Sequence, residues 1–331
     1  MAILKKIGIV IFGLILILTI LVTVKINFIG KKMPENLAKD YCLQGLNQHN
    51  IRLDFLGTAG MLISKDSDAI LIDPFFSNPN LIFKNKSYKW ASYFDVNILS
   101  KINLIAISHG HYDHCYDIKE LLPIVKKPTT IVANSSIFYQ ISSILEDKKH
   151  NTIGVKDKIS DWIYNKDSTI RVIAIPSVHA PHIGCIKFLS GSYTENQNKY
   201  PLAIWKWKEG ATYSYIVDIM EKDSVVYRVA QINGDIKDKN LQYLFSLDES
   251  KNIDLMMCIF WKYKLNFPRI KNLYKNINPS NLVLIHWNNF FQPLERPLEY
   301  FKSSNLPKAL SDFEKNKIPA KIILPMQHVN L

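Results

Sequence analysis

Apolar and polar residues alternate through Ile51-Arg52-Leu53-Asp54-Phe55-Leu56, the period of a half-buried strand. Gly57-Thr58-Ala59-Gly60 punctuates the run. Met61–Ile63 and Ala69–Ile72 follow, split by the turn-forming Lys65-Asp66-Ser67-Asp68. This reads as an antiparallel meander ending at Asp73-Pro74, where proline breaks the ladder. Residues 78–100 read as loop or helix with mixed aromatics. The cadence then becomes strand and helix in turn: strands at Leu104–Ile107, Thr129–Ala133 and Ile170–Ile175, with helices at Ile118–Val125 and from Asn134 or Ser135 to Leu145.

A second half repeats the plan. Ala203–Trp207 and Tyr213–Ile219 read as strands with Gly210 at their turn, followed by a strand at Val225–Ile232. Helices are expected at Lys239–Leu247, Arg269–Ile277 and Pro307–Lys315. Ile253–Phe260 and Asn281–Ile285 are apolar enough for buried strands, and Lys321–Leu324 closes the chain. Two halves that each run from meander into βα units predict an α/β fold. It is a four-layer αβ/βα sandwich, with two mixed sheets face to face and helices outside. With 47% hydrophobic residues in 331, a full core is available.

The N-terminus is patterned differently. Ile7 to Val24 carries no charge and is flanked by Lys5-Lys6 and Lys25. Such a run predicts an N-terminal transmembrane helix over residues 1–24, or a signal peptide in its place. No small-x-small cleavage site follows, which favours the uncleaved anchor. A polar linker at 25–50 and one catalytic domain at 51–331 complete this organisation. The short basic N-terminus places the expected single-pass protein's domain outside the cytoplasm. Net charge is +12, with five lysines in the first 32 residues. The moderate excess elsewhere fits an anionic substrate or surface. The four cysteines, Cys42, Cys115, Cys185 and Cys258, form no CxxC pair and read as free thiols.

The densest chemistry is Ser108-His109-Gly110-His111-Tyr112-Asp113-His114, directly after a strand. His109 and His111 are alternate residues able to address one centre, and Asp113 and His114 a second. Imidazole and carboxylate suit zinc, with manganese or iron as competitors. One loop cannot fill two coordination spheres. His179, Asp235 and His286 each follow a later apolar strand and are candidates to complete them; His182, Asp238 and Asp218 are their local rivals.

His109–His114 resembles the HxHxDH motif of the metallo-β-lactamase-fold hydrolases. His179, Gly234-Asp235 and His286 follow in that family's order, and Leu71-Ile72-Asp73-Pro74 is similar to its first motif. His-Tyr-Asp-His and Ile-His-Trp look most like the branch of N-acyl-phosphatidylethanolamine-hydrolysing phospholipase D and related lactonases. The resemblance implies that His109, His111 and His179 hold one divalent ion and Asp113, His114 and His286 a second. Asp235 would bridge them, and Asp73 would orient a histidine. It further implies hydrolysis of a phosphodiester, lactone or ester by a shared hydroxide, with Asp113 as catalytic residue. A small-molecule or lipid substrate is expected, approached through aromatics such as Phe75-Phe76 and Phe290-Phe291. Nucleic acid is not expected, since no basic patch interleaved with aromatics stands out. A nuclease of this fold and a non-catalytic metal-binding membrane protein are the alternatives.

Overall fold

Alternation separates the layers of the molecule. In the strand Leu255–Ile259, Leu255, Met257 and Ile259 join one apolar core, while Met256 and Cys258 join another. A strand with both faces buried reads as an unbroken apolar run, and this one does. The computed structural model describes residues 29–331 except 46–48, 80–94, 127, 146–148, 183, 202, 293, 295 and 296, and before them only 6, 8, 11–15, 18 and 19.

In chain order the strands are β1 (Gly30–Lys32), β2 (Ile51–Gly57), β3 (Gly60–Lys65), β4 (Asp68–Ile72), β5 (Ile102–Ala106), β6 (Thr130–Asn134), β7 (Asn151–Val155), β8 (Ile163–Tyr164), β9 (Ile170–Val178), β10 (Thr212–Glu221), β11 (Ser224–Ile232), β12 (Asp235–Ile236), β13 (Leu255–Ile259), β14 (Asn281–Ile285), β15 (Glu299–Phe301), β16 (Ala320–Ile322) and β17 (Gln327–Asn330). The first sheet has the order β17-β2-β3-β4-β5-β6-β7. The second runs β12-β9-β10-β11-β13-β14-β16, with β8 on β9. Each sheet is mixed. β4, β5 and β6 are mutually parallel, as are β11, β13 and β14. The larger core lies between the sheets; the other packs the second sheet against the helices Asp238–Ser250, Tyr263–Ile277 and Leu306–Lys315. The expected sandwich is therefore the observed one.

Several elements differ from the sequence pattern. Ala203–Trp207 is not a strand: a single 3₁₀ turn at Ile204–Lys206 buries Trp207, so its apolar residues serve a loop. Arg269–Ile277 is only the second part of a longer helix, which runs through Pro268. Residues 25–50 are not wholly irregular, since β1 pairs with β15 and a helix spans Glu35–Tyr41. Lys321–Leu324 is not the last strand: β16 edges the second sheet there, and β17 follows it to close the first sheet against β2.

The anticipated transmembrane helix requires correction. Among the described residues, no helix is long and apolar enough to cross a membrane. The described helical residues of that region are 6, 8, 11–15, 18 and 19; the rest of Ile7–Val24 lies outside the described residues. Eighteen residues fall at the short end of the roughly 20 that a span needs, and Gly8 and Gly13 weaken a helix there. The single-pass, extracytoplasmic placement falls with the helix.

The second sheet carries a buried ion cluster. Asp218 is fully buried and accepts from Arg228 through Nε at 2.6 Å and Nη2 at 2.9 Å. Arg171 reaches its Oδ2 at 2.7 and 2.9 Å. Removing one partner of such a pair leaves an uncompensated charge in the sheet. Asp218→Leu, which leaves the buried Arg228 without its carboxylate, should therefore cost about 3–5 kcal/mol, read as a lower urea midpoint at unchanged slope.

Candidate metal centre

Three of the sequence-predicted histidine ligands sit just past strand ends. β5 runs into Ser108 and His109, β9 into His179, and β14 into His286. Parallel strands expose their carboxyl ends at one rim, where ligand sites of open α/β sheets form. Two groups of donor atoms result, each with its atoms within 4.8 Å of one another: His109, His111 and His179, and Asp113, His114 and His286. The rings of His109 and His114 are 3.9 Å apart, so the groups adjoin.

Gly110 allows the histidine loop to fold this tightly. Its N–H donates to Glu209 O at 2.8 Å, and a Cβ there would lie 2.1 Å from Lys208 O. His111 then precedes the one-turn helix Tyr112–Cys115, which turns Asp113 and His114 inward. His286 has φ +60°, a left-handed backbone. Its N–H is tied to Thr58 O at 2.6 Å, and Asn288 Oδ1 accepts from Thr58 N–H at 2.8 Å. The β2–β3 turn of one sheet thus holds the ligand turn of the other.

The protons of the cluster follow from its hydrogen bonds. Asp73 is fully buried at φ +51°, and it accepts from Ser108 N–H and Oγ–H, both at 2.7 Å. It also accepts from His114 Nδ1–H at 2.8 Å. Ser108 Oγ–H donates to Asp73, so at 3.1 Å the same oxygen accepts from His109 Nδ1–H. His179 Nδ1–H donates to Ala180 O at 2.7 Å. His109, His114 and His179 therefore all turn an Nε2 lone pair toward the cluster.

These lone pairs crowd one another. His109 Nε2 is 3.0 Å from His111 Nδ1, and His286 Nε2 is 3.3 Å from His114 Nε2 and 3.4 Å from Asp113 Oδ2. Ligands about 2.0–2.1 Å from a tetrahedral zinc ion lie about 3.3 Å apart. The spacing and the chemistry of both donor sets fit divalent metal.

Electrostatics support the same reading. Burial, then neighbouring imidazoles, holds His109 and His179 well below the ordinary histidine pKa. Burial takes His111 down to about 3. Burial would raise the Asp113 carboxyl too, but His114 and His286 outweigh it and hold it low. For His114 burial opposes the proton, yet Asp73 and Asp113 prevail and raise its pKa. Near pH 7 most of the cluster is thus in its ligating form.

Asp235 is not brought in with the others. Its side chain is 57% exposed and meets Arg269 Nη1 at 3.2 Å. β12 pairs Asp235 with Val178, and Gly234 is pressed so close to that strand that a Cβ would lie 2.5 Å from Val178 O. Asn233 is the buried residue of this turn. The structure therefore does not support Asp235 as a bridge. Asp218 is committed to arginines. His182, set aside in favour of His179, stacks on it at 4.9 Å and is lowered to about 4 by burial. Cys115 donates to His111 O at 3.3 Å, and all four cysteines are free. Asp117, to which sequence assigned no role, is buried and accepts from Phe76 and Ser77 N–H at 2.5 and 2.8 Å. It fixes the turn after Asp73; three residues beyond the histidine motif, nothing in its local pattern marked it.

Two facing mixed sheets thus carry two adjoining donor groups at one rim. Residues 68–228 match the family model described as a β-lactamase superfamily domain. A curated relative, the "UPF0173 metal-dependent hydrolase" of Hyperthermus butylicus, is 28% identical over 130 residues, which cover 39% of this chain. The chain spans about half the length (51%) of that relative. Among solved structures, Igni18, a metallo hydrolase from Ignicoccus hospitalis, is similar with TM-score 0.52 and 16% identity over 84% of this chain and 97% of its own. CmlA, a diiron β-hydroxylase from Streptomyces venezuelae, gives TM-score 0.53 and 11% identity over 86% of this chain and 55% of its own. At these identities the structural likeness concerns the fold.

Two outcomes follow. Gly110→Ala should lose about 1–3 kcal/mol of stability and bind zinc more weakly, checked by urea titration and chelator competition. A histidine with depressed folded pKa contributes stability that is present above its unfolded value of about 6.5 and lost as pH falls. His109, His111, His179 and His182 act in this sense and His114 against it. The metal-free protein should thus have a lower urea midpoint at pH 5 than at pH 7.5.

Proposed function

We propose that this protein is a metal-dependent hydrolase of ester-type bonds in a small molecule with an apolar part. The observation that carries the reading is the pair of adjoining donor groups at the wall of a cavity of about 710 Å³. Phe188, Trp261, Phe290 and Phe291 line it. A polar reactive end under an apolar chamber suits a substrate with an acyl or aryl group.

His109, His111 and His179 would hold one divalent ion, and Asp113, His114 and His286 another. Bound there, divalent ions supply Lewis acidity and lower the pKa of water from about 15.7 toward neutrality. The chain's own part is to present neutral imidazoles, fixed in tautomer by Asp73, Ser108 and Ala180. Asp113, kept ionised by its neighbours, orients the attacking water and accepts its proton. The apolar walls exclude competing water. Asp235 takes no part in this scheme. Phosphodiester and lactone or carboxylic ester remain the two bond types the motif resemblance implies. The chamber, with Arg269 as its cationic side chain, favours either over a polynucleotide.

Metal analysis should find about two zinc, manganese or iron ions per chain, with His179→Ala retaining about one. A panel of phosphodiester lipids, lactones, aryl esters and RNA should show turnover of a small ester that falls about 100-fold or more in Asp113→Asn. A protein that binds no metal with its histidines intact, or that cleaves RNA alone, overturns the reading.

A further inference from the structure

The same cavity has a second polar feature besides the histidines. Asn266 and Arg269 both line it, three residues apart on the helix Tyr263–Ile277 and so on one helical face. Asn266 is fully buried. Its Oδ1 accepts from Lys262 N–H at 2.9 Å, which fixes the amide orientation and leaves Nδ2 as the free end. Among the described residues Nδ2 has no hydrogen-bond partner, and neither does the buried Nε of Arg269. An amide N–H₂ left unpaired in an apolar enclosure is costly unless a ligand satisfies it.

Both groups only donate at these atoms. Arg269 has one charged partner, the half-exposed Asp235 at 3.2 Å, an ion pair weakened by water. The acid that lines the cavity, Asp113, belongs to the histidine end. Trp261, Phe188, Phe290 and Phe291 also line it. The chamber thus offers, besides the histidine groups, apolar walls with hydrogen-bond donors and a guanidinium, where an acceptor carrying negative charge would be satisfied.

We propose that Asn266 and Arg269 form an oxyanion subsite, and that the ligand is an anionic amphiphile whose carboxylate or phosphate binds there while its apolar part fills the chamber. This rests on the hydrolase reading for what happens to the ligand, but not for its binding. The subsite names the substrate class: an ester that also bears an anionic group, with the scissile bond at the histidines and the anion at the helix.

Binding to the full chain, stripped of metal by chelator so that no ion recruits the anion, separates the two ideas. The probes are decanoate, decyl phosphate and the uncharged decanol, titrated by calorimetry and by Trp261 fluorescence. Decanoate or decyl phosphate should bind at least about tenfold tighter than decanol. Arg269→Met should abolish that preference and leave decanol affinity unchanged. Asn266→Asp keeps the acceptor for Lys262 N–H but replaces the donor with a carboxylate, and should likewise abolish it. Circular dichroism and urea midpoints near wild type confirm that both variants fold. Equal affinity for decanoate and decanol in the wild type, or an anion preference that survives both substitutions, overturns the subsite. Preference for one anion over the other identifies carboxylate or phosphate as the native group. Because no turnover or metal enters the measurement, failure of the hydrolase reading leaves a different signature, absence of metal or activity with the anion preference intact.

Discussion

The Asp73 carboxylate is the constraint on which the centre depends. It is buried, held at a left-handed backbone angle, and accepts from Ser108 twice and His114 once. Through Ser108 it also sets the proton of His109. One carboxylate thereby determines which nitrogen each of two imidazoles presents, one in each donor group. Without that anchor the rings could exchange tautomers, and lone pairs packed about 3 Å apart would turn away from one another. Asp117 secures the next turn by capping Phe76 and Ser77. The strain at Asp73 is held by groups on both sides of it.

Much of this was legible in the chain because burial forces periodicity. β2, β3 and β4 alternate or run apolar as their faces require, and the histidine loop stands out by composition. Other elements were not legible for identifiable reasons. β7 is an exposed edge strand with a polar face, so Asn151–Val155 carries little apolar signal. Pro268 lies inside its helix, where a proline ordinarily breaks the pattern, and so hid the residues from Tyr263 to Phe267. Ile204–Trp207 is apolar because a loop buries Trp207, not because it pairs.

The candidate site divides in the same way. Six ligand candidates were marked by type and by place after a strand, and they converge. Asp235 had the same local signal, but register decides the matter: pairing with Val178 turns its carboxylate outward. A one-residue difference in a ladder changes the face of every side chain, and that is invisible in a linear motif. Asn266 and Arg269 were missed because they belong to a helix that reads as ordinary, and only the third dimension shows which of its polar residues face a cavity.

The β2–β3 turn that grips His286 has a wider meaning. His109 and His286 lie far apart in the chain and in different sheets, and His286 is held beside His114 by the docking of that turn. Metal would then act as a late reporter of folding. A half-assembled molecule would lack His286 beside Asp113 and His114, whereas the finished one brings all three donors together. Coordination would accordingly clamp the halves of the molecule as well as equip it for chemistry, and would resist the sliding of one sheet over the other.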